Sequence, residues 1–248
     1  PMVTGVQTCA LPILEGVETK FYEDRYDDDG DGVNETGELS YICPEQTFDS
    51  YENAVKELGE YIKKFCRLRQ DGVRYFAVSV PVEFSSEEEI EELTKTQGRS
   101  MGQDVYNEVI KVTADPNEGE MLAEECPLKS GFLNQMKYRN GKYTGNFVYR
   151  TLYRHTSEAY KDFQDKAEEV LDSLALSGKT DAEKVDAISK WIIKNVEYLG
   201  SSNVSEDEST IDIRSAYRAL MEGSANCVGY SRLFQYLTIS AGFDCHTI

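Results

Sequence analysis

Residues 215–242 read SAYRALMEGSANCVGYSRLFQYLTISAG. Asn226 is a favoured residue for opening a helix, because its side-chain oxygen can accept from the backbone N–H groups that a first turn leaves unpaired. Behind it Leu233, Phe234 and Leu237 recur at helical spacing, and Gly242 is a natural stop. A shorter helix is predicted over 213–221. Cys227 thus falls in the first turn of the longer helix, where free N–H groups and the positive end of the helix dipole favour a thiolate over a thiol. A thiolate there is a nucleophile, whereas a cysteine packed inside is a small apolar filler. Composition alone favours the filler.

Upstream, Thr180 with Glu183 forms a capping box for a helix to about residue 195, with Val185, Ile188, Trp191 and Ile192 facing inward. Trp191 reads as core. Before it, Tyr160, Phe163, Ala167, Val170 and Leu174 mark a helix over 157–174 that is expected to connect two domains. The segment from 46 to 156 reads as α+β. Asp49 and Glu52 open a helix over 50–68, with Val55, Leu58, Ile62 and Phe65 on one face. Phe76, Val78, Val80, Val82 and Phe84 alternate along a strand over 73–84, in which Pro81 points to an edge position. Ser86 and Glu89 cap a short acidic helix to about 96, and another is predicted over 103–112. Asn140-Gly141 joins two tyrosine-rich runs as a hairpin. His155 follows it with no acid or thiol partner evident in the sequence, and reads as an ordinary surface or capping histidine.

Residues 27–38, DDDGDGVNETGE, fit D-x-D-x-D-G-x5-E in full. Calcium would take oxygen ligands from Asp27, Asp29 and Asp31, from the Val33 carbonyl, and from Glu38, with Gly32 at the sharp turn. The flanks lack helical periodicity and look like short strands, and Asn34 stands where such a loop usually has an aliphatic residue. A solvated acidic hairpin is the other reading.

The 248 residues carry 26 basic and 45 acidic side chains, a net charge of −19, which argues against a nucleic-acid partner, because phosphate binding needs a basic footprint. No apolar run reaches the roughly 18 residues of a membrane span. With 16 Tyr, 10 Phe and one Trp there is bulky material for one or two cores. Residues 3–13, VTGVQTCALPI, translate a common sequencing-library adapter and are set aside, together with Cys9. The natural start is then expected elsewhere, and residues 245–248 read as the opening of a further strand. The remaining Cys43, Cys66, Cys126, Cys227 and Cys245 contain no C-x-x-C pair, which argues against a thiolate zinc cage.

Ala216-Tyr217, Ala219-Leu220, Gly223, Ala225 to Ser231, Phe234 to Leu237 and Ala241-Gly242 together resemble the nucleophile region of the transglutaminase-like superfamily of cysteine enzymes. Asp181, Glu183-Lys184-Val185, Ala187-Ile188, Val196 and Tyr198 resemble the helix that opens that domain. The resemblance spans about 180–248. It implies a papain-like fold with Cys227 as nucleophile at the start of a core helix, and a later sheet that delivers a His and an Asp. No residue here matches either one, and His246 follows the helix too soon to be assigned. The 248-residue chain is therefore expected to be inactive.

The organisation read from the sequence is an artefact at 1–13, an acidic calcium-loop-like segment at 14–45, an accessory α+β domain at 46–156, a connecting helix at 157–179 and an incomplete transglutaminase-like core at 180–248. The accessory part loosely resembles a segment that accompanies this core in some bacterial surface proteins, which implies an extracellular or cell-surface location. The expected function is a thiol enzyme acting on a protein or peptide substrate through a Cys thioester. Hydrolysis, as a protease or amidase, is preferred, with no catalytic cofactor and a structural calcium ion. The alternative is a non-catalytic, calcium-stabilised binding module of the same fold.

Overall fold

A computed structural model describes residues 18–26, 36–42, 47–66, 73–95, 99–111, 114–200 and 212–245. The elements in chain order begin with β1 (Glu18–Tyr26), β2 (Thr36–Ile42), α1 (Tyr51–Cys66), β3 (Val73–Phe84), α2 (Glu87–Lys95) and α3 (Arg99–Val109). Then come α4 (Glu120–Glu125), β4 (Leu128–Arg139), β5 (Lys142–Leu152), α5 (Ser157–Ser173), α6 (Asp181–Asn195) and β6 (Glu197–Tyr198). A 3-10 turn (Asp212–Arg214), α7 (Ala216–Met221), β7 (Ser224–Ala225) and α8 (Cys227–Ser240) complete the described chain. The fold class is α+β, as the sequence pattern predicts. The chain forms two compact units, one of residues 1–108 with 127–153, the other of residues 109–126 with 154–248.

The first unit is built on a five-stranded sheet in the order β1-β2-β3-β5-β4. Strands β1 and β2, which flank the acidic loop, are antiparallel to each other, and β2 runs parallel to β3. The alternation along β3 is realised: Phe76, Val78, Val80, Val82 and Phe84 are all buried, and α1 packs against this strand. β3 is nevertheless a central strand, paired with β5 from Tyr75 to Phe84, which corrects the edge position expected from Pro81. The physical reason is local. The Pro81 carbonyl accepts from Phe48 N–H at 2.9 Å on the β2 side, where β2 itself has ended, its last pair being Ile42 with Ser79. The missing N–H points to that same side, so no ladder bond is lost. Asn140 and Gly141, both at positive φ, close the β4–β5 hairpin.

The second unit is mainly helical. Phe163, Ala167 and Val170 of α5, Ile188 and Ile192 of α6, Ala216, Ala219 and Leu220 of α7, and Leu233, Tyr236 and Leu237 of α8 form one buried cluster, which Met121 of α4 joins. The capping box at Thr180 and Glu183 is present, and Thr156 caps α5. The helix predicted over 213–221 divides into the 3-10 turn and α7, because Ser215 accepts from Arg218 N–H and caps α7. Among the described residues no helix is long and apolar enough to cross a membrane.

Candidate active site

Cys227 is the first residue of α8. Asn226 is extended (φ −86°, ψ −174°), and its Oδ1 accepts from Val228 N–H at 3.0 Å and Gly229 N–H at 3.2 Å. The other end of the helix closes with Gly242 at φ +89° and a bond from Phe243 N–H to the Thr238 carbonyl at 3.1 Å, a paired ending that needs the left-handed conformation glycine adopts without strain. Leu233 and Leu237 are fully buried and anchor the helix. The cysteine at its tip is exposed, whereas Cys66 and Cys126 are buried. This removes the reading of Cys227 as a buried filler.

The turn that carries Cys227 has a fixed seat. Asn226 N–H donates to the Ile213 carbonyl at 2.9 Å. A Cβ at position 229 would stand 2.7 Å from Ala225 Cβ, 2.9 Å from the Ile213 carbonyl oxygen and 3.1 Å from that of Ser215. Only glycine lets the helix approach the backbone that closely. Beside the turn, β6 and β7 pair in parallel with Tyr198 opposite Ala225, and Leu199 N–H donates to the Ala225 carbonyl at 2.8 Å. Tyr198 is 57% exposed and its ring lies 5.9 Å from that of Tyr230, so two aromatic rings border the segment that leads into α8. Among the described residues no side chain is hydrogen-bonded to the Cys227 thiol.

Two acids from α4 are buried in this unit, and sequence reasoning missed both. Glu124 Oε1 accepts from Ala216 N–H at 2.9 Å, and its Oε2 lies 3.0 Å from Arg232 Nη1. Burial pushes Glu124 up to about 7, with Arg232, the Ala216 N–H and Arg154 opposing and Glu125 reinforcing. Glu125 Oε1 accepts from His155 N–H at 2.9 Å, and Oε2 lies 2.6 Å from His155 Nδ1. His155 therefore has an acid partner, contrary to the sequence reading, and its ring stacks on Tyr217 at 3.7 Å between centroids. No local pattern could have found these pairs, because Glu125 lies 30 residues before His155 and Glu124 lies 92 before Ala216. Asn117, also upstream, gathers three donors on its Oδ1: Tyr160 at 3.2 Å, Gln164 at 2.8 Å and Tyr236 at 3.3 Å. Burial, with the charge of Asp115, pushes the Tyr236 hydroxyl up to about 12, so it stays a donor to Asn117.

Of the expected calcium ligands, Asp27, Asp29, Asp31 and Val33 lie outside the described residues, and Glu38 is in β2 opposite Tyr22. Among the described residues no group of three His, Cys, Asp or Glu is arranged to hold a metal ion.

Cys227 thus stands exposed on the first residue of a capped, core-anchored helix. Residues 146–248 match the family model of the transglutaminase-like superfamily. A solved structure described as "Crystal structure of a TGase" is similar at 12% identity, over 64% of this chain and 40% of that one, with a TM-score of 0.28. The chain thus spans 40% of the length of that solved chain. The comparison with curated proteins gives no match.

Proposed function

We propose that Cys227 is the nucleophile of a transglutaminase-like thiol enzyme that acts on peptide or amide carbonyls. The observation that carries this reading is the exposed thiol at the first position of α8, within the matched stretch. The thiolate adds to the carbonyl carbon and forms a C–S bond. Asn226 already occupies the Val228 and Gly229 N–H groups, which leaves the Cys227 N–H as the first-turn donor for the developing oxyanion. The C–N bond then breaks, the amine leaves with a proton, and water hydrolyses the thioester to an acid while the thiol is restored. Hydrolysis rather than transfer to an amine is the preferred outcome, by analogy within the superfamily. The protons in these steps need an imidazole, and the imidazole needs an acid to orient it. Neither is assigned among these residues, so the 248-residue chain is proposed to react once with an electrophile and to turn over no substrate.

The test is iodoacetamide labelling at neutral pH followed by peptide mapping. Cys227 is expected to label first, and faster in the folded chain than in urea, while Cys66 and Cys126 label only on unfolding. A Cys227 rate no higher folded than unfolded overturns the nucleophile reading.

The β1–β2 pairing favours a second, compatible reading: it brings Tyr26 opposite Thr36 and so closes the ends of the acidic loop on each other. On this reading the loop holds a structural calcium ion, as suits an extracellular or cell-surface protein. Millimolar calcium is expected to raise the melting temperature, and Asp29→Ala with Asp31→Ala to abolish the rise. An unchanged melting temperature removes the calcium.

A further inference from the structure

Residues 109–126 precede the matched stretch yet belong to the same compact unit as α8. Their last helix delivers one carboxylate to two elements at once. Glu124 accepts from the first N–H of α7 and faces Arg232, five residues beyond Cys227 on α8. Arg232 Nη1 also donates to the Arg214 carbonyl at 3.2 Å, in the 3-10 turn whose Ile213 carbonyl receives Asn226 N–H. The contacts therefore run from Glu124 through Arg232 to the 3-10 turn, and from there to the cap of the nucleophile helix.

We infer that Glu124 is a positioning residue for Cys227: it ties α7, the 3-10 turn and α8 together and so fixes the turn on which the thiol stands. The inference rests on the reading of Cys227 as nucleophile. Holding a reacting group in one geometry lowers the cost of reaching the transition state, and small displacements are expensive. The groups that face Glu124 or its neighbour are Arg232 on α8, Arg154 after β5, Glu125 on α4 and, across Glu125, His155.

The sign of the pH response follows from burial. Glu124 is held at about 7 in the fold, against 4.5 as the ordinary value. The fold thus favours its protonated form, and that stabilisation is complete below the ordinary value and lost as pH rises through the folded one. The seat of Cys227 is expected to loosen over that interval.

The experiment is hydrogen–deuterium exchange of the full 248-residue chain at about pH 5.5 and about pH 8, corrected for intrinsic rates, read on peptides covering 213–229. In the wild type, protection there is expected to fall several-fold at the higher pH. Glu124→Gln keeps an acceptor for Ala216 N–H but carries no charge, so it should keep the protection and remove its pH response. Glu124→Ala and Arg232→Ala should each lower protection of 213–229 and spare peptides covering 73–84. Iodoacetamide labelling supplies the readout specific to position. The ratio of Cys227 rates, Glu124→Gln over wild type, is expected near one at the lower pH and several-fold above one at the higher.

A ratio of one throughout, or a full pH response retained in Glu124→Gln, overturns the inference. Should Glu124→Ala fail to fold, the pH series on wild type and Glu124→Gln decides alone. Slow labelling of Cys227 in the wild type defeats the nucleophile reading and leaves the exchange result standing, so the two failures are distinct.

Discussion

Tyrosines aside, among the residues whose side chains are described the sheet unit buries one polar side chain, Thr151, whereas the helical unit buries Glu124, Glu125, Ser215, Arg218, Gln235 and Thr238. The sheet core is specified by apolar side chains alternating along strands, and its main requirement is volume. The helical core is also apolar at its centre, but its loops and helix ends are fixed by buried polar bonds. Such bonds add little net stability when complete and cost much when half removed. The helical unit also carries the exposed thiol.

Substitutions that break or sharpen this contrast rank by size. The largest effect is expected from Phe76→Ala in the central strand of the sheet, where the ring is fully buried: a loss of about 3–5 kcal/mol by chemical denaturation, set by the cavity. A loss below about 1 kcal/mol would mean that the sheet core is not packed on volume. Gly229→Ala comes next. Its methyl group would meet two backbone oxygens and Ala225, and the expected destabilisation is about 1–3 kcal/mol with slower iodoacetamide labelling of Cys227. Normal stability and labelling would show that the seat can give way.

The smallest effect is expected at the exposed start of α6. Thr180→Ala removes the acceptor of Glu183 N–H and should cost about 1 kcal/mol in a denaturant titration. The Thr180 N–H and hydroxyl hold Glu183 below the usual carboxylate range, so this cap contributes above the ordinary carboxylate value and fades as pH falls through the depressed one. That is opposite in direction to Glu124. A cap contribution that grew on acidification would break the assignment.

What the sequence made legible follows the same division. The helices α5, α6 and α8, the strand β3 and the Asn140-Gly141 hairpin were readable because each is set by residues within a turn or two: caps, a period of two or 3.6, and a stop. Cys227 at the head of α8 was readable for that reason. Pro81 misled, because its position depends on where another strand ends. Glu124, Glu125 and Asn117 left no local trace, since their partners lie between 30 and 119 residues further along. The glycine at 229 was quoted within a motif, but its requirement comes from the backbone of residues 213 and 215 and shows only in three dimensions.

The 92-residue interval between Glu124 and Ala216 also bears on how the chain is made. At the usual pace of synthesis, roughly 5–20 residues per second, α4 leaves the ribosome some 5–20 s before α7 exists. The hairpin β4–β5 is produced in that interval, so the sheet has all its strands while Glu124 still awaits Ala216 and Arg232. Through those seconds the Glu124 carboxyl has neither partner, and a pause in translation shortly after α4 would lengthen that wait.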